Sequence, residues 1–509
     1  MSTQIGALDP DVESILATFK RRSGFEGVDY EIKQRADTQA LVLQMANPTE
    51  RFYRVLQEIK AEIKQDDVPT VTIKKRSPRN RLQSPEAKYL LQTLSESLNI
   101  SRYSFKDDFF ARYTTSVSNA EAQITAAANH IVFGRRGAGK SSLLLYALRS
   151  REPETQPSAW VDMQAYESRN DNRVVLDILN EVLKQIQSLR LQGPAYPRVL
   201  SSVQRLRKED TLTDDQIRRL LPDIRDIFSI VGSRVKNVFL FLDDFHLIDI
   251  AAQPKLLGFL YSISRGTNLF LKLSAIETLT RSWDPKTHTG LQVPHDAQTI
   301  KLDYNLTMPD RAAKHIEGIL DAHALYCGLP SVRFLCTGNG VLSRLVWVSA
   351  GVPRDALNMF AQAMTKGSTE GRRLVSVTNV NVAASEMVSQ KMRDLEVDVP
   401  GERVEQDLAS MLEVLKDFCI KRERKNAFLI EVRNDEAYQN ILKLVDLRLV
   451  HVISEGITVG EAGRKYVALI LDYGFYTGIR AAQSVDLFNR QTQRVAYKDL
   501  RKLPVFEPR

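Results

Sequence analysis

Residues 133–142, FGRRGAGKSS, set the tightest limit on how this chain can fold. Gly134, Gly139, Lys140 and Ser141 fall at the spacing G-x-x-x-x-G-K-[ST], directly after the apolar run His130–Phe133 and directly before SLLLYAL. A strand, a glycine loop and a helix in that order is the setting in which such a loop wraps a phosphate. Glycines let the backbone close around the anion, and successive N–H groups at the helix N-terminus line the nest. The whole loop, Gly134, Arg135, Arg136, Gly137, Ala138, Gly139, Lys140, Ser141 and Ser142, is the expected cradle for ATP. Lys140 would reach the β- and γ-phosphates, and the Ser141 hydroxyl would ligate Mg2+. The bland alternative is a glycine-rich turn without a ligand. The additional Gly137 and the flanking pattern argue against it.

A phosphate loop of this kind sits on a mainly parallel sheet, and residues 103–305 supply the required alternation. Short apolar runs at His130–Phe133, Ala159–Met163, Val238–Leu242, Leu269–Ser274 and Thr299–Leu302 read as strands. Helical patterns at about 140–149, 172–188, 214–230 and 253–264 separate them. The stretch from about 190 to 212, with Gly193, Pro194 and Pro197, reads as an insertion or long connection. Residues 1–102 are expected to be helical, with helices at about 49–63 and 84–98. Residues 306–370 read as a small helical bundle and 371–403 as an irregular connector. The end, 404–509, combines helices at about 404–419 and 434–446 with a Gly-punctuated ribbon, LRLVHVISEGITVGEAGRKYVALILDY. That order predicts a winged helix. The chain's 509 residues are enough for two to four such domains.

The partner of the loop is VFLFLDDFHLI. Asp243 closes an apolar strand, where its carboxylate would face Lys140 and Ser141 and hold hydrated Mg2+. Asp244 follows as a group to orient attacking water; a pair of solvated strand-end acids is the alternative. His246 reads as a packed or hydrogen-bonded residue before a catalytic base. Ser274 ends another apolar strand, where it could touch the γ-phosphate or the water, or simply cap the strand. Arg265 and Arg281 are candidates for a contact between subunits, although each taken singly reads first as plain surface charge.

Taken together, these residues resemble an AAA+ ATPase of the initiator-type branch that contains origin-recognition proteins. The resemblance spans roughly 103–370, with a family-like winged helix near 404–480. GRRGAGKS at 134–141 matches Walker A, and VFLFLDD at 238–244 matches Walker B. SAGVPRDAL at 349–357 resembles the sensor-two signature, in which an arginine opening a lid helix reaches the ATP phosphates; that role falls on Arg354. Sensor one falls on Ser274. The fold implied is an α/β P-loop NTPase core with a helical AAA+ lid. One departure is Asp243-Asp244 where many hydrolytic relatives have Asp-Glu. Aspartate is one methylene shorter, and the pair also resembles STAND signalling ATPases, which implies slow or partner-stimulated hydrolysis.

Charge decides less than it promises. Seventy Lys+Arg against 62 Asp+Glu leave +8, mild for this length, so nucleic-acid binding depends on where the cations gather. Lys421, Arg422, Arg424 and Lys425, then Arg464 and Lys465, then Lys498, Arg501 and Lys502 are the C-terminal groups that make duplex DNA a candidate partner. Lys74–Arg81, KKRSPRNR, is the densest early basic run, read either as a phosphate contact or as a solvated linker. Three cysteines and seven scattered histidines support neither a disulfide framework nor a zinc module. No run approaches about 18 apolar residues, and the N-terminus shows no secretory apolar core, so the expected location is the cytoplasm. The leading expectation is an ATP-dependent, DNA-associated switch or loader acting as a homo-oligomer or with a partner ATPase. Replication loading, mobile-element targeting or prokaryotic antiviral defence could be its setting. The alternatives are a STAND-like regulator that recruits an effector protein, and a nucleotide-dependent scaffold with little hydrolysis.

Overall fold

The computed structural model describes residues 10–34, 39–62, 70–103, 107–116, 118–169, 172–187, 195–209, 211–302, 306, 308–398, 402–433, 435–458, 464–477, 485–486 and 495–507. The chain forms two compact units. One comprises Met1–Asn99, Ala111–Thr114 and Tyr304–Arg509; the other comprises Ile100–Phe110 and Thr115–Asp303.

The first unit begins with a sheet that the sequence reading did not foresee. Strands β1 (Asp29–Gln34), β2 (Gln39–Met45) and β3 (Thr70–Lys75) lie in the order β1-β2-β3, antiparallel then parallel. The expectation of a purely helical N-terminal region is therefore corrected. Only β2, the central strand, is buried along its length. The flanking strands, DYEIKQ and TVTIKK, put most of their side chains on the surface and leave a weak apolar signal. Helix Glu50–Glu62 occupies the connection that two parallel strands require. Its Phe52 and Leu56 pack with Phe19, Phe25, Leu41 and Leu43.

The second unit carries the glycine loop. Its strands are β4 (His130–Phe133), β5 (Ser158–Asp162), β6 (Val238–Asp243), β7 (Leu269–Ala275), β8 (Trp283–Asp284), β9 (Thr289–Gly290) and β10 (Gln298–Lys301). Five form one parallel sheet in the order β10-β4-β7-β6-β5, while β8 and β9 make a small antiparallel pair. Strands β4 and β6 are buried on both faces, which is why they appear as unbroken apolar runs. Helices Arg173–Gln187, Asp214–Arg234 and Gln253–Ser264 cover the sheet through Leu176, Ile224, Phe228, Leu257 and Leu260. From β4 the chain crosses to the far edge at β5 and returns through β6 to β7, which lies beside β4, whereas β10 lies on the other side of β4. The carboxyl end of β4 is thus a topological switch point, the place where open α/β sheets bind ligands. Of the expected insertion at 190–212, residues 190–194 and 210 lie outside the described residues, and Tyr196–Leu206 is a helix.

The rest of the first unit is helical and then mixed. Helices Pro309–Tyr326, Asn339–Val348 and Pro353–Thr369 are followed by a 22-residue helix, Val377–Asp398, where an irregular connector was expected. Its opening, VTNVNV, is poor in helix formers, so propensity hides it. Helix Glu402–Lys416 then leads to β11 (Ala427–Glu431), helix Glu436–Asp446, β12 (Val450–Thr458) and β13 (Lys465–Leu471). The three strands are antiparallel in the order β11-β13-β12. Among the described residues a single helix lies between β11 and β12. Lys391, on the long helix, donates to Asp472 at 2.7 Å and to the Arg448 carbonyl at 3.1 Å, and His451 also meets Asp472.

Candidate functional site

The loop after β4 owes its shape to particular glycines. A Cβ at Gly134 would stand 3.1 Å from the Ala138 Cβ and 3.3 Å from the Leu302 Cβ. Gly137 and Gly139 take φ of 83° and 95°, a region that costs glycine little and other residues more. The Ala138 N–H closes the turn onto the Arg135 carbonyl at 3.1 Å. Gly139 then caps helix Lys140–Arg149 with no side chain of its own, so its first-turn N–H groups face a loop able to take an anion. Lys140 is 5% exposed and donates to the Arg135 carbonyl at 3.3 Å, which keeps its ammonium against the inside of the loop.

Across from the loop, three strand ends and one helix start converge. Ser141 Oγ donates to Asp243 Oδ1 at 3.1 Å, and Ser274 Oγ donates to the same oxygen. The Asp244 N–H in turn donates to Ser274 Oγ at 2.8 Å. Burial, and then the neighbouring Asp244, push the Asp243 carboxyl up to about 6, against the pull of the two serine hydroxyls. A buried carboxylate beside a serine hydroxyl is a hard-oxygen donor pair, the chemistry Mg2+ prefers. A cation there would also remove the electrostatic penalty that raises Asp243. The residues therefore fit the ion that the sequence implied.

Asp244 adopts φ of 54° and its side chain is 39% exposed, open to solvent where Asp243 is not. His246 packs beneath it, with Nδ1 4.0 Å from Asp244 Oδ1 and a side chain 4% exposed. Burial, then Lys140 and Arg136, lower its pKa to about 4, so the ring is neutral at pH 7. Ser274 is fully buried, and its hydroxyl is used as both donor and acceptor between Asp243 and Asp244.

The sequence reading overlooked Asp162. It pairs in register with Asp243, closes β5 as Asp243 closes β6, and adds to the upward push on that carboxyl. An acid ending an apolar strand, SAWVD, was the available signal. Among the remaining candidates, Arg265 is exposed just after helix Gln253–Ser264, and Arg281 pairs with Asp284 at 2.7 Å. Arg354 is exposed in the first turn of helix Pro353–Thr369, which belongs to the other unit. The C-terminal cations are dispersed: Lys421 pairs with Asp417, Arg422 lies over the Phe418 ring, and Lys502 meets Asp499. Helix Glu436–Asp446 carries only Lys443 against Glu436 and Asp446, so it is not a basic helix.

No family model and no curated protein matches the chain. Solved structures do. The Walker-type ATPase of Pyrococcus abyssi is 15% identical over 73% of this chain and 97% of its own, with a TM-score of 0.42. The Aeropyrum pernix ORC1 protein in complex with DNA is 15% identical over 73% of this chain and 92% of its own, at 0.37. Drosophila ORC bound to DNA is 14% identical over 85% of this chain and 98% of the matched one, at 0.38.

Proposed function

We propose that the chain is an ATP-dependent switch with slow, partner-stimulated hydrolysis that associates with duplex DNA. The observation that carries the nucleotide reading is the meeting of the Gly134–Ser142 loop with Ser141, Asp243 and Ser274 at the switch point of the sheet. Loop amides and Lys140 hold the phosphates and stabilise charge that grows during transfer. Ser141 and Asp243 would hold Mg2+, which when bound neutralises charge on the β- and γ-phosphates. Asp244 orients water, with its backbone fixed by Ser274. Arg354 is assigned the phosphate-sensing role that the SAGVPRDAL resemblance implies, and Arg265 or Arg281 the contact from a neighbouring subunit. Asp244 is short and rooted in a turn with positive φ, which supports slow turnover.

The DNA half of the proposal draws on the initiator-type resemblance and on a winged-helix reading of the C-terminal end. The hairpin β12–β13 beside β11 supports that reading, while the single helix between β11 and β12 departs from a helix-turn-helix, which has two. That departure favours a second reading, a regulator whose C-terminal end docks protein. Recruitment of an effector, or loading in a mobile-element or defence system, would follow from the partner that co-purifies.

The test is ATP turnover of the purified chain with and without duplex DNA, alongside Asp244→Asn. DNA-stimulated phosphate release that Asp244→Asn abolishes, with ATP affinity retained, is the expected result. Turnover that ignores both the DNA and the substitution refutes it.

A further inference from the structure

The basic run Lys74–Arg81 is not a loose linker. Strand β3 ends in Lys74 and Lys75, and the chain is then pinned repeatedly. The Arg76 N–H donates to the Met45 carbonyl at 2.8 Å, and its guanidinium pairs with Asp29. Arg81 turns inward, donating to the Phe334 carbonyl at 2.9 Å and lying 4.1 Å over that ring. The Leu82 N–H meets the Arg373 carbonyl at 3.3 Å, which brings a second basic segment alongside. Two of the run's cations are thus consumed as anchors, while Lys74, Lys75 and Arg79 of this segment and Arg372 and Arg373 of the second remain exposed.

The chemistry of this rim narrows its partner. Neither Thr70–Leu82 nor Gly371–Ser385 contains an Asp or Glu. Of the exposed cations Arg372 pairs with Glu370; among the described residues Lys74, Lys75, Arg79 and Arg373 have no ion pair. Interleaved with them are Thr70, Thr72, Ser77 and Asn80, side-chain types that bond phosphate oxygens as readily as Lys and Arg do. Neither 70–82 nor 371–376 holds an aromatic residue, so the rim offers no stacking platform for a single strand. The same stretches expose no large apolar side chain, so they lack the anchor that holds a protein on a membrane surface. What fits is a polyanion read through its phosphates alone.

We propose that this rim, Lys74, Lys75, Arg79, Arg372 and Arg373, docks the phosphate backbone of duplex DNA. It rests on the DNA association proposed above and gives that association a sequence-independent contact besides the C-terminal cations. A pinned backbone presents the charges with little left to order on binding, which favours positioning of the duplex over base reading.

The test uses the full chain and a labelled duplex of about 30 base pairs of arbitrary sequence, titrated at several salt concentrations. The variant K74Q/K75Q/R79Q alters only exposed side chains, and its circular dichroism and ATP affinity should match the parent's. Its plot of log affinity against log salt should be shallower by about 0.9 per lost phosphate contact, close to three in all, with binding at least roughly tenfold weaker. R372Q/R373Q should flatten the slope further. If the parent binds duplex and the variant keeps the same slope, the rim is wrong and the DNA reading stands. If the parent binds no duplex, both fall. If the triple variant loses binding only to single strands or anionic vesicles, duplex DNA is the wrong occupant.

Discussion

Replacing Ser274 by alanine separates two roles that its position allows. A residue that only senses phosphate would change nucleotide-dependent behaviour and leave the empty protein alone. In this structure the hydroxyl joins β7 to β6, accepting from the Asp244 N–H at 2.8 Å and donating to Asp243, with no solvent exposure. Ser274→Ala strands the Asp244 N–H, at about 1–3 kcal/mol, and removes a bond to a carboxylate of about 1.5–3 kcal/mol. Because the two share one atom and a water can enter part of the space, the net loss should be about 3 kcal/mol. For a unit of roughly 200 residues, that corresponds to a Tm lower by roughly 6–12 °C. Asp243 should also respond. Ser274 is one of the groups that pull its carboxyl down, so its removal moves the pKa further above 6. Magnesium-dependent ATP binding should then need a higher pH to reach its maximum. Thermal unfolding of the nucleotide-free protein, and ATP titrations from pH 6 to 8.5, measure both effects. A Tm within a degree of the parent's and an unshifted pH profile would refute the proposed bridge.

Three further expectations follow from buried charge. Asp243 has a folded pKa raised from 3.8 to about 6, so its contribution to stability is fully present below 3.8 and is lost as pH rises through 6. Asp243→Asn should therefore unfold at a higher temperature than the parent at pH 7 without nucleotide, with the difference shrinking below pH 5. Conversely, His130 and His246 have folded pKa values lowered to about 4, mainly by burial. Their stabilising contribution is present above 6.5 and is lost as pH falls toward 4, which a denaturant titration at pH 6.5, 5.5 and 4.5 will register as falling midpoints. In the other unit, Lys391→Ala leaves Asp472 charged and buried, with the His451 ring and the Gly474 N–H as the remaining partners of its side chain. Chemical denaturation should show a loss of about 3–5 kcal/mol, and a loss under 1 kcal/mol would remove the pair from the account.

Legibility followed burial. Strands β4 and β6 were readable almost to the residue because parallel strands covered on both faces are unbroken apolar runs, HIVF and VFLFLD. Strands β1 and β3 were not, because their exposed side chains are as polar as those of a loop. The helix Val377–Asp398 was masked by its opening Asn, Thr and Val, while the burial of Val380 and Ala384 in one cluster with Trp347 and Phe360 outweighs that poor propensity. The loop at 134–142 stands out by the spacing of its glycines, lysine and serine, and Asp243 by closing an apolar run. The tie from Ser274 to Asp243 depends on how β7 lies against β6, and the inward turn of Arg76 and Arg81 depends on Asp29 and Phe334, so neither could be seen in the order of residues. In the basic run, charge could be counted but direction could not.

The most direct test of the central claim is ATP affinity of the parent and of Lys140→Ala, measured by equilibrium titration with a fluorescent analogue in the presence of magnesium. Removing the loop's ammonium deletes charge-assisted bonds worth about 1.5–3 kcal/mol, so binding should weaken roughly 10- to 150-fold with the fold intact by circular dichroism. An unchanged dissociation constant would mean that the loop at 134–142 does not hold the phosphates, and the assignment of the site would be wrong.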